Sequence, residues 1–317
     1  MNIQNKTRAM IEAALMVAIT CVFGIIGTYI PVLTFILFFI PVPFIILGKR
    51  HGMSFTVLSI IASAMIIGSF TEPIYSIFVV VLPGVTAIVM GYMMKKEYSP
   101  SKILIGGALA ALISSLLSIR LGSLISGVEI LSHMSEVFEE MTNMQIGMYK
   151  SMGVGEENLQ NLEMTLEATR KLAMMIVPSA IILSSAFLAY INYVLTIHIL
   201  RRIGYKVETL PPLRYFRLPR SILMGTFLIA GLTMAARYFG FANYTTLVLN
   251  VFFIFQFIYL IQGLAVMSYF MISYRFAKPL RIFIYLFLLL SQRGAFIVAT
   301  IGFIDAFVNL RKLKIDQ

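Results

Sequence analysis

Residues 48–73 read GKRHGMSFTVLSIIASAMIIGSFTEP. From Met53 to Phe70 the stretch holds no charged side chain, while Lys49 and Arg50 stand before it and Glu72 just after it. At 1.5 Å per residue, such a run makes a helix of about 27 Å, close to the ~30 Å hydrocarbon thickness of a bilayer. It reads as a membrane span with basic residues at one end.

Working outward, the pattern recurs. Apolar runs at Ala9–Ile30, Val32–Leu47, Ile74–Met94, Ile103–Ile125, Leu172–Leu200, Ile222–Tyr238 and Tyr244–Ser273 bring the number of spans to eight. Composition agrees: 59% of the 317 residues are hydrophobic and only 12% charged, against roughly half and a quarter in soluble domains. The second run carries Pro41 and Pro43, which predict a kink or break whose freed backbone groups must be satisfied by neighbouring helices or water. A last run, Ile282–Val308, is interrupted by Gln292, Arg293 and Gly294 and followed by Arg311, Lys312 and Lys314. One straight span would carry that basic tail to the far side; a broken or re-entrant segment would return it. The expected fold is all-α: a polytopic bundle of eight spans plus a broken or re-entrant C-terminal segment, or nine spans, with an external amphipathic helical hairpin. It divides into spans one to five (1–128), an acidic insert (129–171), span six (172–200), a basic loop (201–221), and the C-terminal spans with their tail (222–317).

Charge distribution predicts the orientation. The N-terminus and the connections 48–52, 95–102, 201–220 and 274–281 hold 16 of the 25 lysines and arginines, and such connections face the cytoplasm. The intervening ones hold only Lys150, Arg170, Lys171 and Arg237. Clusters of this kind account for the net charge of +11 without any nucleic-acid-binding face. Lys6 and Arg8 precede a first span with no small-residue cleavage pattern, so the span is expected to be retained, with its N-terminus cytoplasmic. The bilayer is the first partner.

Eight of the fourteen carboxylates are glutamates between Glu129 and Glu167. Within that insert Ile130, Met134, Val137, Met141, Met144 and Met148 recur at steps of four and three, one stripe of a helix. Gly153 and Gly155 break it, and Leu159, Leu162 and Leu166 begin a second stripe. The hairpin is either a lid folded over the bundle or a stalk that pairs with a second copy, making a homo-oligomer; a methionine stripe suits both.

Ionisable groups within spans are costly and are candidates for function. Glu72, Arg120 and Arg237 share a predicted depth near the outer face and are candidate substrate contacts, with Asn250 and Gln256 on span eight as neutral hydrogen-bonding groups. The plainer alternative makes the charges interfacial or snorkelling and the amides interhelical glue. Arg293 and Asp305 are a candidate ion pair if the last run folds back. Glu12 is placed to pair with Arg8, four residues before it. Small residues at Ala14 and Ala18, extended by Ala9 and Ala13, and at Gly106, Gly107, Ala110 and Ala111 permit close helix contact, within the chain or with a partner. Enzyme signatures are absent: no H-E-x-x-H, Walker loop or G-x-S-x-G. Cys21 is the single cysteine, and His51, His133 and His198 fall on different connections and helix ends, so no metal or other cofactor is expected, nor any ATPase activity of the chain itself.

The strings TRAMIEAALMVAI from Thr7, LPPLRYFRLPR from Leu210, IQGLAVMSYF from Ile261 and IGFIDAFVNLRK from Ile301 resemble the YybS-like family of bacterial integral membrane proteins. The resemblance implies a bacterial plasma-membrane location and singles out Arg217, Pro219, Gln262, Gly263, Gly302, Asp305 and Arg311 as the family's recurring residues, without assigning them a role. The first six spans are also distantly similar to the substrate-capture subunits of energy-coupling-factor transporters. That likeness implies that Ala14 and Ala18 dock a coupling membrane protein or ATPase module, though the external insert and the extra C-terminal spans depart from it. Two functions are therefore expected in competition: the substrate-binding subunit of a small-molecule uptake system, or a non-transporting envelope or interaction protein.

Overall fold

The computed structural model describes residues 3–313; Lys314 of the basic tail lies outside them. Among the described residues the regular structure is entirely helical, and eight segments are long and apolar enough to cross a membrane. The chain is an all-α polytopic membrane protein. By its contacts it forms two units, one made of residues up to Met144 with Ser184–Leu210, the other of Gln145–Leu183 with Pro211 onward.

The first unit contains α1 (Ile3–Tyr29), a 3₁₀ segment (Pro31–Phe39) leading into α2 (Pro41–Arg50), α3 (Met53–Phe70), α4 (Pro73–Ser76), a π-helical turn (Ile77–Val81), α5 (Leu82–Lys95) and α6 (Pro100–Ser126). It also takes most of α7 (Ile130–Ser151) and the larger part of α9 (Val177–Arg202). The break expected in the second span is present, and its cause is proline: Pro41 cannot donate to a carbonyl one turn back. Asn192 on α9 donates instead to the Phe38 carbonyl at 3.1 Å, which satisfies a backbone group that lipid could not. Pro83 produces the π turn by the same loss of a donor.

Close helix contact in this unit relies on small residues. A Cβ on Gly48 would lie 3.0 Å from the Gly91 Cα, so α2 and α5 meet backbone to backbone. Of the two predicted small faces, that of α6 is filled from within the chain: Ala110 and Ala111 are buried, and a Cβ on Gly107 would lie 2.7 Å from the Met90 sulfur. The α1 face behaves differently, because Ala9 and Ala13 are buried whereas Ala14 and Ala18 are exposed.

The second unit holds α8 (Glu156–Met175), α10 (Arg220–Tyr238), α11 (Tyr244–Ser273), α12 (Lys278–Leu290) and α13 (Gln292–Val308). Span six begins later than expected, since Leu172–Met175 belong to α8 and Pro178 sets the first turn of α9. The C-terminal run is broken at Ser291, with 104° between its two halves. A Cβ on Gly263 would collide with the Val298 carbonyl, and one on Gly302 with the Tyr259 carbonyl, so α11 and α13 cross with no side chain between them.

The hairpin differs from its sequence reading in one respect. Leu159 is buried and Leu162 and Leu166 are half-buried, as their spacing predicts, but Met141, Met144 and Met148 are exposed, Met144 to 70%. On α7 the sheltered line runs instead through Met134, Phe138, Thr142 and buried Ile146. Both lines have helical spacing, so periodicity alone did not choose between them.

Candidate functional site

Basic residues at the ends of several helices converge at one end of the first unit. Glu12 on α1 receives Arg50 at 2.7 Å, His51 at 2.5 Å and Arg8 at 3.2 Å. Arg50 also donates to the Tyr205 hydroxyl at 3.2 Å and lies over its ring. The Glu12–Arg8 pair is present as expected; the participation of Arg50, His51 and Tyr205, far along the chain, had no signal in local spacing. Beside this cluster, Lys49 donates to the Met94 carbonyl at 2.9 Å and reaches Glu97 at 3.5 Å. Four connections predicted to share a side therefore do share an end.

The second unit has a buried polar centre. The Arg311 guanidinium meets Asp305 at 2.9 Å, with side chains 0% and 1% exposed, and donates to the carbonyls of Arg214 at 2.9 Å and Phe216 at 2.8 Å. Gln262 donates to the same carboxylate at 2.6 Å and accepts the Leu218 N–H at 3.1 Å. Arg217 donates to the Leu313 carbonyl at 3.0 Å. Six of the seven residues singled out by family resemblance thus enter one structure: Gly263 and Gly302 bring α11 and α13 together, while Gln262, Asp305, Arg311 and Arg217 bind the loop and tail to them. The tail and the basic loop are thereby hydrogen-bonded to each other within this unit. The proposed Arg293–Asp305 pair is corrected: both lie on α13, twelve residues apart, and Asp305 is engaged by Arg311, while Arg293 is exposed on the first turn. Arg311 gets there because Asn309 ends α13 with φ of 52°, reversing the chain.

Of the predicted substrate contacts, Glu72 and Arg120 belong to the first unit and Arg237, Asn250 and Gln256 to the second. Glu72 is exposed just before α4; Arg120 lines an open recess of about 320 Å³ with Ser123 and Glu129; Arg237 is exposed on the last turn of α10. Gln256 is half-buried on α11. Asn250 is buried, accepts the Ser179 N–H at 2.7 Å and donates to the carbonyls of Met175 and Thr246, both at 2.7 Å. Its amide pins the α8–α9 break to α11, which is the packing alternative for this residue.

Ala14 and Ala18 line an apolar groove of about 550 Å³ between α1 and α3. Its walls include Ala13, Ser59 and Ala62, and Phe55 stands near the His51 ring at 6.2 Å. Among the described residues no cluster of three or more histidine, cysteine or acidic side chains is placed to hold a metal.

Span count, charge pattern and the buried ionic centre define a multi-pass membrane protein embedded in a lipid bilayer. The chain belongs to the predicted membrane protein family DUF2232, whose family model matches residues 18–306. It is similar to the uncharacterized protein YybS of Bacillus subtilis (strain 168), 24% identical over 265 residues that cover 82% of this chain and 84% of that protein. No solved structure matches it.

Proposed function

We propose that this protein is a non-catalytic subunit of a plasma-membrane assembly, its basic ends in the cytoplasm, docking a transmembrane helix of a partner protein along α1 and α3. The observation that carries the reading is the contrast between the two small-residue faces: the α6 face is filled from within the chain, whereas Ala14 and Ala18 stand open in an apolar groove, where Ala13, Ser59 and Ala62 sit among larger side chains such as Met10, Phe55 and Leu58. Small side chains let a second helix approach closely enough for dispersion contacts and interhelical hydrogen bonds to exceed those offered by mobile lipid tails. The exposed methionines of α7 support the same reading, since such side chains adapt to a partner surface.

The test is a photo-crosslinking residue at position 14, activated in the cell membrane. A discrete adduct with one other membrane protein, abolished by Ala18→Leu while the purified variant keeps its melting temperature, is the expected result. Adducts with lipid alone, or with a differently tagged copy of the same chain, would replace the partner helix with another occupant.

A second reading, substrate capture for a small-molecule uptake system energised by another protein, is favoured by the recess at Arg120. Native mass spectrometry of the purified protein tests it: a retained small molecule that Arg120→Ala loses supports capture, and one that persists in Arg120→Ala removes this recess as its site.

A further inference from the structure

At the basic end of the first unit a second recess, about 290 Å³ in volume, opens among the ends of α5, α6 and α9. Its floor is apolar, made by Met94 in the last turn of α5, Ile103 in the first turn of α6 and Ile197 near the end of α9. Four charged side chains line it as well: Lys49, Lys206, Glu97 and Glu208. An apolar floor beneath a charged rim, at the level where spans end, matches an amphiphile whose head lies in the interface and whose tail continues into hydrocarbon.

We infer that this recess binds a phospholipid whose head carries both a phosphate and a primary ammonium, the phosphatidylethanolamine type. The lining holds two cations and two anions, so it carries no net charge and complements a head that itself bears one charge of each sign. Lys49 is the fixed cation. Its side chain is only 12% exposed, and of its three N–H groups two are directed at the Met94 carbonyl and at Glu97, whose own side chain is 82% exposed. A solvated surface partner neutralises it weakly, leaving a third donor for a phosphate oxygen. Lys206 supplies the mobile cation. The Tyr193 hydroxyl holds the Glu208 carbonyl at 2.9 Å, fixing the backbone of the rim there. Glu97 and Glu208 are then acceptors for an ammonium; a quaternary choline head has no N–H to give them, and this is the basis of the expected selectivity.

The full chain, purified in mild detergent, is to be mixed with equimolar phosphatidylethanolamine, phosphatidylglycerol and phosphatidylcholine and examined by native mass spectrometry. The expected result is preferential retention of phosphatidylethanolamine, by about tenfold over phosphatidylcholine for the loss of a charge-assisted hydrogen bond. Glu97→Gln with Glu208→Gln should abolish that preference, and Lys206→Gln should lower occupancy by all three lipids; these side chains lie at the surface, and unchanged melting temperatures would show the variants folded. Equal retention of the ethanolamine and choline lipids by the wild type, or a preference untouched by the double substitution, would overturn the assignment. Displacement of bound lipid by millimolar glycerophosphoethanolamine would overturn the lipid source in favour of a soluble zwitterion with the same head.

Discussion

Arg311→Met tests the buried centre of the second unit directly. Methionine fills much of the volume but leaves the Asp305 carboxylate with Gln262 alone, and it also releases the Arg214 and Phe216 carbonyls. Removing one partner of a buried ion pair costs about 3–5 kcal/mol, because the remaining charge keeps its desolvation penalty. Taking 3 kcal/mol, the population with loop 211–219 undocked rises about 150-fold. Limited proteolysis of the protein in lipid nanodiscs reads this population through cleavage between Arg214 and Arg220, provided that opening is fast relative to cutting. Asp305→Asn combined with Arg311→Met should recover part of the loss, since the double variant strands no charge. Cleavage within threefold of wild type for Arg311→Met, or a double variant as labile as the sum of the two single losses, would refute the claim that this pair clamps the loop.

Gly263→Ala should prevent accumulation of folded protein, because the new methyl meets the backbone carbonyl of Val298, whereas Gly225→Ala, with nothing within 4 Å of its Cβ, should be neutral; fluorescence size-exclusion of the two variants compares them. Asn250→Ala should lower stability by about 1–3 kcal/mol, the cost of leaving buried polar groups unpaired, and leave any retained ligand in place; loss of ligand without loss of melting temperature would return Asn250 to a binding role. The hydrogen bond and charge of Lys171 hold the Glu167 carboxyl below its ordinary range. Its small stabilisation of α8 is therefore present above the ordinary glutamate pKa and lost as pH falls through the lowered folded value, and Lys171→Met should raise the Glu167 midpoint seen by carbon-13 NMR.

Most of the architecture was legible because a bilayer imposes a local requirement: each crossing needs its own uninterrupted apolar run. Met53–Phe70 forms a helix with those same bounds, and the break between Phe39 and Pro41 follows from a missing N–H that any reader can locate. Partner choice was not legible in the same way. From Asp305 the sequence offers Arg293 twelve residues before and Arg311 six residues after, and neither spacing suits a straight helix.

The amino-acid sequence alone determined that this chain is a multi-pass helical membrane protein with basic residues gathered at alternate connections, since hydrophobic length and charge are properties of contiguous residues. Only the tertiary structure decided that Asn309 turns Arg311 back onto Asp305, that Arg50 and His51 join Arg8 on Glu12, and that the alanines of α6 are covered while Ala14 and Ala18 stay open. Those outcomes depend on which helix faces meet, and a face is shared by residues that the chain itself keeps far apart.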